Sequence, residues 1–181
     1  MNFEKATIFT VAEMGTLAQL KEKLKSSNFE ELNSNGESLL HMAIRGKKAE
    51  NIDYILELIK SRVKNESGEI DKEKIKYYLN IQTKNGETPL AYLVSIDDME
   101  FVLKYAEKLL SYGADINIKD SWGNNAFWTA VLNCDYEDYS LIKLMAKYKP
   151  DIKSKNNVGR SVIDIAEEDE NEELLSIFKS I

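Results

Sequence analysis

Apolar residues along this chain fall in short runs at helical spacing, and the runs come in pairs separated by turn-forming residues. Leu17, Leu20 and Leu24 line one side of a predicted helix, with Lys21, Glu22, Lys23 and Lys25 on the other. Ile52, Ile55, Leu56 and Ile59 make a second stripe of this kind, and Leu174, Leu175, Ile177 and Phe178 a last one. The fullest unit runs from Thr83 to Asn117. Asn85-Gly86 signals a tight turn, because Gly accepts positive φ without a steric cost. Thr88-Pro89 opens a helix: the hydroxyl satisfies orphan N–H groups, and Pro at the first position gives up none that was needed. Gly113 closes the second helix of the unit, as a left-handed residue after a helix end does most cheaply without a Cβ. Such a unit carries an apolar face on each side and buries neither alone.

The unit has copies. Asn35-Gly36-Glu37-Ser38-Leu39-Leu40-His41-Met42-Ala43 precedes it; Trp122-Gly123-Asn124-Asn125-Ala126-Phe127-Trp128-Thr129-Ala130 and Val158-Gly159-Arg160-Ser161-Val162-Ile163-Asp164-Ile165-Ala166 follow. Their turn glycines, Gly36, Gly86, Gly123 and Gly159, are spaced by 50, 37 and 36 residues. A period of about 33 residues with a T-P-L-H-x-A core is the mark of one solenoid family. On these residues the chain resembles the ankyrin-repeat family over almost its whole length, most closely in Asn85–Leu90 and Tyr112–Asn117. The first copy keeps the His and lacks the Pro, and the third and fourth lack both.

The resemblance implies an all-α ankyrin-repeat solenoid of about five helix-turn-helix repeats, with short hairpin loops and capping end repeats, forming a single array over 1–181. The capping repeat falls at about 6–32, full repeats at about 33–63, 83–118 and 120–152, and the C-terminal cap at 156–181. The 50-residue step leaves an insertion at about 60–78, mostly charged, which reads as a lengthened second helix, a solvated loop and a short helix from Asp71 to Leu79. Insertions of this kind also border binding surfaces in repeat arrays, so that alternative stays open. Asn65-Glu66-Ser67 within it spells a glycosylation sequon, which carries no weight without a secretion signal.

Charge narrows the partner. A formal net charge of −7 and a pI near 4.9 argue against nucleic-acid or anionic-membrane binding, which needs a basic footprint. One cysteine, Cys134, allows no internal disulfide. Glu4, Lys5 and Glu13 leave only Ala6–Ala12 uncharged, too short for a signal sequence, and no run is long enough to span a bilayer. A cytoplasmic monomer is expected.

Chemistry is hard to assemble from these residues. One histidine and one cysteine do not make a zinc site. Each turn glycine belongs to the repeat period rather than to a phosphate loop. No carboxylate pair stands out, and Cys134 reads as a small buried thiol. The resemblance makes His41 a structural residue that hydrogen-bonds within and between neighbouring turns. No enzyme activity, cofactor or metal is expected.

The resemblance implies protein binding, with turn tips and the exposed sides of first helices forming a concave face. Carried onto this chain, those positions are Ser34, Asn35 and Glu37; Lys84, Asn85, Glu87, Ser95 and Ile96; Ser121, Trp122, Asn124, Leu132 and Asn133; and Asn157, Val158 and Arg160. Trp122 is the sharpest, because Trp is enriched at binding hot spots; the alternative is that it folds back on Phe127 or Trp128. Trp128, in the His slot, reads as core. The turns between paired helices carry Asp97, Asp98 and Glu100, then Asp135, Glu137 and Asp138, then Glu167, Glu168, Asp169 and Glu170. Stacking would align them as an acidic ridge, broken in the first copy by Arg45, Lys47 and Lys48. The ridge is either ordinary solvated surface or a means of steering a basic partner. The expected function is a non-catalytic interaction module, such as an immunity or antitoxin protein neutralising a basic toxin, with a regulatory scaffold or host-directed effector as alternatives.

Overall fold

A computed structural model of the protein describes residues 5–65, 67–135 and 137–181. Glu66, the middle residue of the sequon, lies outside the described residues. In chain order the helices are α1 (Ile8–Met14), α2 (Leu17–Leu24), α3 (Leu39–Arg45), α4 (Ala49–Arg62), α5 (Lys72–Leu79), α6 (Pro89–Leu93), α7 (Met99–Ser111), α8 (Ala126–Leu132), α9 (Ser140–Ala146), α10 (Val162–Glu168) and α11 (Glu172–Phe178). Apart from α5 they form five helix pairs. First helices stack on first helices, α1 on α3, α3 on α6 and α6 on α8; second helices form a parallel row with α2 beside α4 and α7 beside α9 and then α11. The pair α1–α2 leads, and copies one to four begin with α3, α6, α8 and α10.

Each first helix starts on a short polar side chain. Thr7, Thr88, Asn125 and Ser161 accept the backbone N–H three residues on, at 2.8–3.2 Å, which satisfies donors that helix geometry leaves orphaned. Buried aliphatic residues from both rows fill the space between pairs, with Tyr105 and Phe127 the largest fully buried side chains. Stacking buries the apolar stripes of neighbouring pairs against one another in one continuous core.

The expected hairpins are turns rather than strands. Among the described residues the one β-bridge joins Lys64 to Ile70, inside the insertion. Each turn spans five residues and is closed by a main-chain bond between its ends, such as Asn33 N–H to Glu37 O (3.0 Å) and Thr83 N–H to Glu87 O (3.0 Å). The side chain of the first turn residue then accepts two N–H groups. Asp120 Oδ1 takes those of Trp122 (2.8 Å) and Asn124 (2.9 Å), and Asn33, Thr83 and Asn156 do the same in their own turns.

The insertion returns the chain in register. Asp71 caps α5 by accepting from Glu73 and Lys74 N–H (3.1 Å each), and Ile75 and Leu79 are buried. Tyr78 stacks near Phe29 and donates its hydroxyl to Glu30 (2.5 Å). Just beyond, Asn80 Oδ1 accepts Asp115 N–H (2.8 Å), and one copy later Asn117 Oδ1 accepts Asp151 N–H (2.8 Å). The same bond, across 35 residues and then 34, therefore recurs from copy to copy once the insertion is passed.

Candidate protein-binding surface

The four turn tips stack edge to edge. Lys84 N–H donates to Asn35 O (2.8 Å), Ser121 N–H to Asn85 O (2.8 Å) and Asn157 N–H to Trp122 O (2.9 Å). The turn glycines make this approach possible. At Gly86, with φ +80°, a Cβ would lie 2.8 Å from Asp120 Cα, and at Gly123 it would lie 2.8 Å from Asn157 N. Gly159 has the same φ (+81°), yet nothing stands within 4 Å of where its Cβ would be.

Behind the first two tips the polar side chains satisfy one another. His41 Nδ1 accepts Ser38 N–H (3.2 Å), so the ring proton sits on Nε2 and is donated to Glu87 O in the next copy (3.2 Å). Burial pushes this imidazole down to about 4, against the smaller opposing effect of its bond to Glu87 O. It is neutral at physiological pH and used up by the scaffold. Glu37 is 4% exposed and forms an ion pair with Arg45. Arg45 also donates Nε–H to Tyr92 OH (3.1 Å) and lies over that ring. Lys47 reaches forward to Asp98 Oδ2 (3.2 Å).

The third and fourth copies are different. Trp122 is 55% exposed, Leu132 56% and Val158 78%. Trp122 and Val158 occupy the same place in adjacent tips, bridged by the Asn157–Trp122 bond. Leu132 stands at the slot that Arg45 fills in copy one.

At the far ends of the first helices, between copies two and three, lies a cleft of about 370 Å³. Buried Val94, Val102, Leu141 and Ile142 form its floor, with Ile96 and Ala130 above them. Asp97, Asp98, Asn133, Cys134, Asp135 and Asp138 surround its mouth. Asp98 is held below the usual carboxylate range by Phe101 N–H and Lys47. Asp135 is lowered by the N–H groups of Asp138 and Glu137, and Asp138 by its bonds to Ser140. Asp98, Asp135 and Asp138 therefore hold their negative charge more firmly than ordinary carboxylates do. Among the described residues no group of His, Cys, Asp and Glu has the disposition to hold a metal ion.

A family model for the ankyrin repeat matches residues 85–121, the stretch holding the second copy and its stacked tip. Residues 85–121 are an ankyrin repeat, and the helix pairs stacked on either side of it are consistent with an ankyrin-repeat helical solenoid. Over 67 residues it is 31% identical to an ankyrin repeat protein of Acanthamoeba polyphaga mimivirus. That stretch takes in 37% of this chain and 23% of the relative, so the chain spans less than a quarter of the relative's length. Ankyrin repeats indicate a protein–protein interaction module. Among the described residues no helix of the array is long and apolar enough to cross a membrane.

The array sorts the sequence-derived site residues into three groups. Asp97, Asp98, Asn133, Asp135 and Asp138 come together around the cleft. Lys84, Asn85, Ser121 and Trp122 sit exposed on successive tips. Others are spent on the scaffold. Asn124 Oδ1 accepts from Asn156 Nδ2 (3.1 Å), and half-buried Glu87 gives its carbonyl to His41. Burial, with nearby Asp120 adding to it and Arg45 opposing, raises the Glu87 carboxyl. Glu37, expected on the surface, is buried, because Arg45 reaches it from the end of α3. The ridge is shorter than its letters suggest: Lys47 pairs with Asp98 and Arg160 with Glu168. Glu137 is exposed beside the cleft, and Asp169 ends α10 away from it.

One further reading changes. Cys134 is half-buried at the cleft mouth, since it follows the end of α8 rather than packing between helices. Trp128 packs half-buried against the core, with its Nε1–H enclosed but unbonded. The partner role of the old His slot passes in copy four to Asp164, which accepts Ser161 N–H (2.7 Å). Trp122 does not fold back: among the described residues it makes no ring contact with Phe127 or Trp128. The cleft floor escaped sequence reading altogether, because Val94, Val102, Leu141 and Ile142 look like ordinary core until two copies are placed side by side.

Proposed function

We propose that this ankyrin array is a non-catalytic binding module, monomeric and cytoplasmic, that holds a basic protein against its second to fourth copies. Neutralisation of a basic toxin, in the manner of an immunity or antitoxin protein, is the specific form of this reading. The observation that carries it is the exposure of Trp122 and Val158 on adjacent tips and of Leu132 at the end of α8, beside an acidic cleft, in a molecule whose first copy turns the residue at the Leu132 slot, Arg45, onto scaffold partners. A solvated indole beside aliphatic groups is the kind of anchor that dominates binding energy. Neighbouring carboxylates add rate and selectivity for a cationic partner more than raw affinity.

The test is affinity capture from the source organism's lysate at low and moderate salt, using wild type and a Trp122→Ala/Leu132→Ser double variant, followed by mass spectrometry and co-expression. One basic protein should be retained by wild type, released as salt rises and lost from the variant. Its toxicity should be relieved by co-expression. A neutral or acidic partner indifferent to salt would replace the toxin reading with a regulatory scaffold or an effector.

A further inference from the structure

One interval before the cleft between copies two and three, the corresponding pair of turns already holds a cation. There, Lys47 leaves the turn after α3 and places its ammonium 3.2 Å from Asp98, in the turn before α7. Aligned by the turn glycines, the residue that should perform this service for the next interval is Asp97, eleven places beyond Gly86 as Lys47 is beyond Gly36. The donor position has changed sign while the acceptor turn, with Asp135 and Asp138, has stayed acidic. No Lys or Arg among the described residues lines the cleft. Lys143, whose field reaches Asp138, is bound to Glu173 (2.7 Å). Of the carboxylates at this mouth, Asp98 has Lys47, while among the described residues Asp97, Asp135 and Asp138 lack the ammonium that the preceding interval provides.

The floor says what should carry the missing charge. Val102, Leu141 and Ile142 are buried residues that line it, and the volume of about 370 Å³ lies within the range of small-ligand pockets. A lysine side chain combines a four-carbon stem that lies along apolar surface with a charged head that stays at the water boundary. We propose that the cleft receives a lysine side chain from the protein partner, stem on the apolar floor and ammonium among Asp97, Asp135 and Asp138. The assignment rests on the binding-module reading above and names the contact that would make a basic partner specific.

The socket can be tested without the partner. Full-length ¹⁵N-labelled protein is titrated with the peptide acetyl-Gly-Lys-Gly-amide and, separately, with its norleucine analogue, which keeps the stem and removes the charge. The lysine peptide should give saturable amide shifts confined to residues 95–99 and 133–138, and the norleucine peptide should give none that saturate. An Asp97→Asn/Asp135→Asn/Asp138→Asn variant keeps the turn-capping oxygens, so its spectrum elsewhere should match wild type while lysine affinity falls at least tenfold. Equal binding of the norleucine peptide, undiminished binding by the variant, or shifts scattered over the acidic surface would each overturn the socket. Capture of the basic partner at full strength by this variant would also overturn it while leaving the module reading intact. Loss of capture in Trp122→Ala/Leu132→Ser alone bears on the module and not on the socket.

Discussion

In the first copy, the residue at the end of the first helix is Arg45, which pairs with Glu37 and lies on Tyr92 of the next copy. In the third copy that slot holds Leu132, more than half exposed and in solvent. The slot two residues on behaves likewise: Lys47 reaches Asp98, while its successor Asp97 faces an open cleft. The tips that lead into both places stack in the same way, although the turns beyond the helices differ, with Lys47 at φ 50°. An ankyrin slot is thus a position rather than a role. Where the side chain finds a partner in the next copy it becomes part of the joint, and where it does not it becomes surface available to another molecule.

The contrast can be broken most forcefully at the tips. Gly86→Ala forces an L-residue to φ +80° and drives its Cβ into Asp120, so it should cost about 3 kcal/mol or more in urea unfolding. Gly159→Ala meets the same φ in open space and should cost only about 1 kcal/mol. Equal losses would mean that tip stacking contributes nothing to the joint.

His41 offers the next largest effect. Its folded value of about 4 lies below the ordinary 6.5, so the unfolded chain binds the extra proton first. Its contribution is complete above about pH 6.5 and is lost as pH falls towards 4, by about 3 kcal/mol in total. A His41→Gln variant should start less stable at pH 7 and show a flatter profile between pH 7 and 4, with the carboxylate background common to both. Parallel profiles would exclude the buried neutral imidazole. Arg45→Met should cost about 2 kcal/mol, because it strands the Glu37 carboxylate, and Glu37→Gln in the same chain should restore part of the loss. The smallest effect belongs to the other half. Leu132→Ser or Trp122→Ala should change stability by less than about 0.5 kcal/mol, while either should weaken a captured partner at least tenfold. A larger stability loss would make these residues scaffold after all.

Much of the fold was legible because each tip announces itself in local chemistry: Gly at the positive-φ position, and Asn, Thr or Asp three residues before it to hold two N–H groups. His41 was legible for the same reason, as a ring placed to bond within its own turn and into the next. The site was less so. Glu37 and Glu87 occupy one slot with one letter, yet only Glu37 has an arginine following at the helix end to draw it inward. Asp98 and Asp135 both read as ridge, but whether a carboxylate is matched depends on the previous copy's turn. The cleft depends on side chains contributed by two copies at once, and no stretch of chain contains it.

The joint between copies one and two has a consequence in folding order. It closes over the longest interval in the chain, yet it is the most heavily stitched: His41 to Glu87, Tyr105 OH to Ala49 O (3.1 Å), Lys108 to Asp53 (2.6 Å) and Lys60 to Tyr112 OH (2.6 Å) all cross it. The last joint has neutral amide bonds, such as Asn157 Nδ2 to Ser121 O and Asn171 Nδ2 to Tyr139 OH (2.9 Å each), with the solvent-facing Lys143–Glu173 pair beside them. In a one-dimensional array, opening starts where the nearest-neighbour coupling is weakest. The copy that presents Val158 should therefore fray first and exchange its amide hydrogens soonest, while the long-interval joint acts as the anchor from which the remaining copies zip.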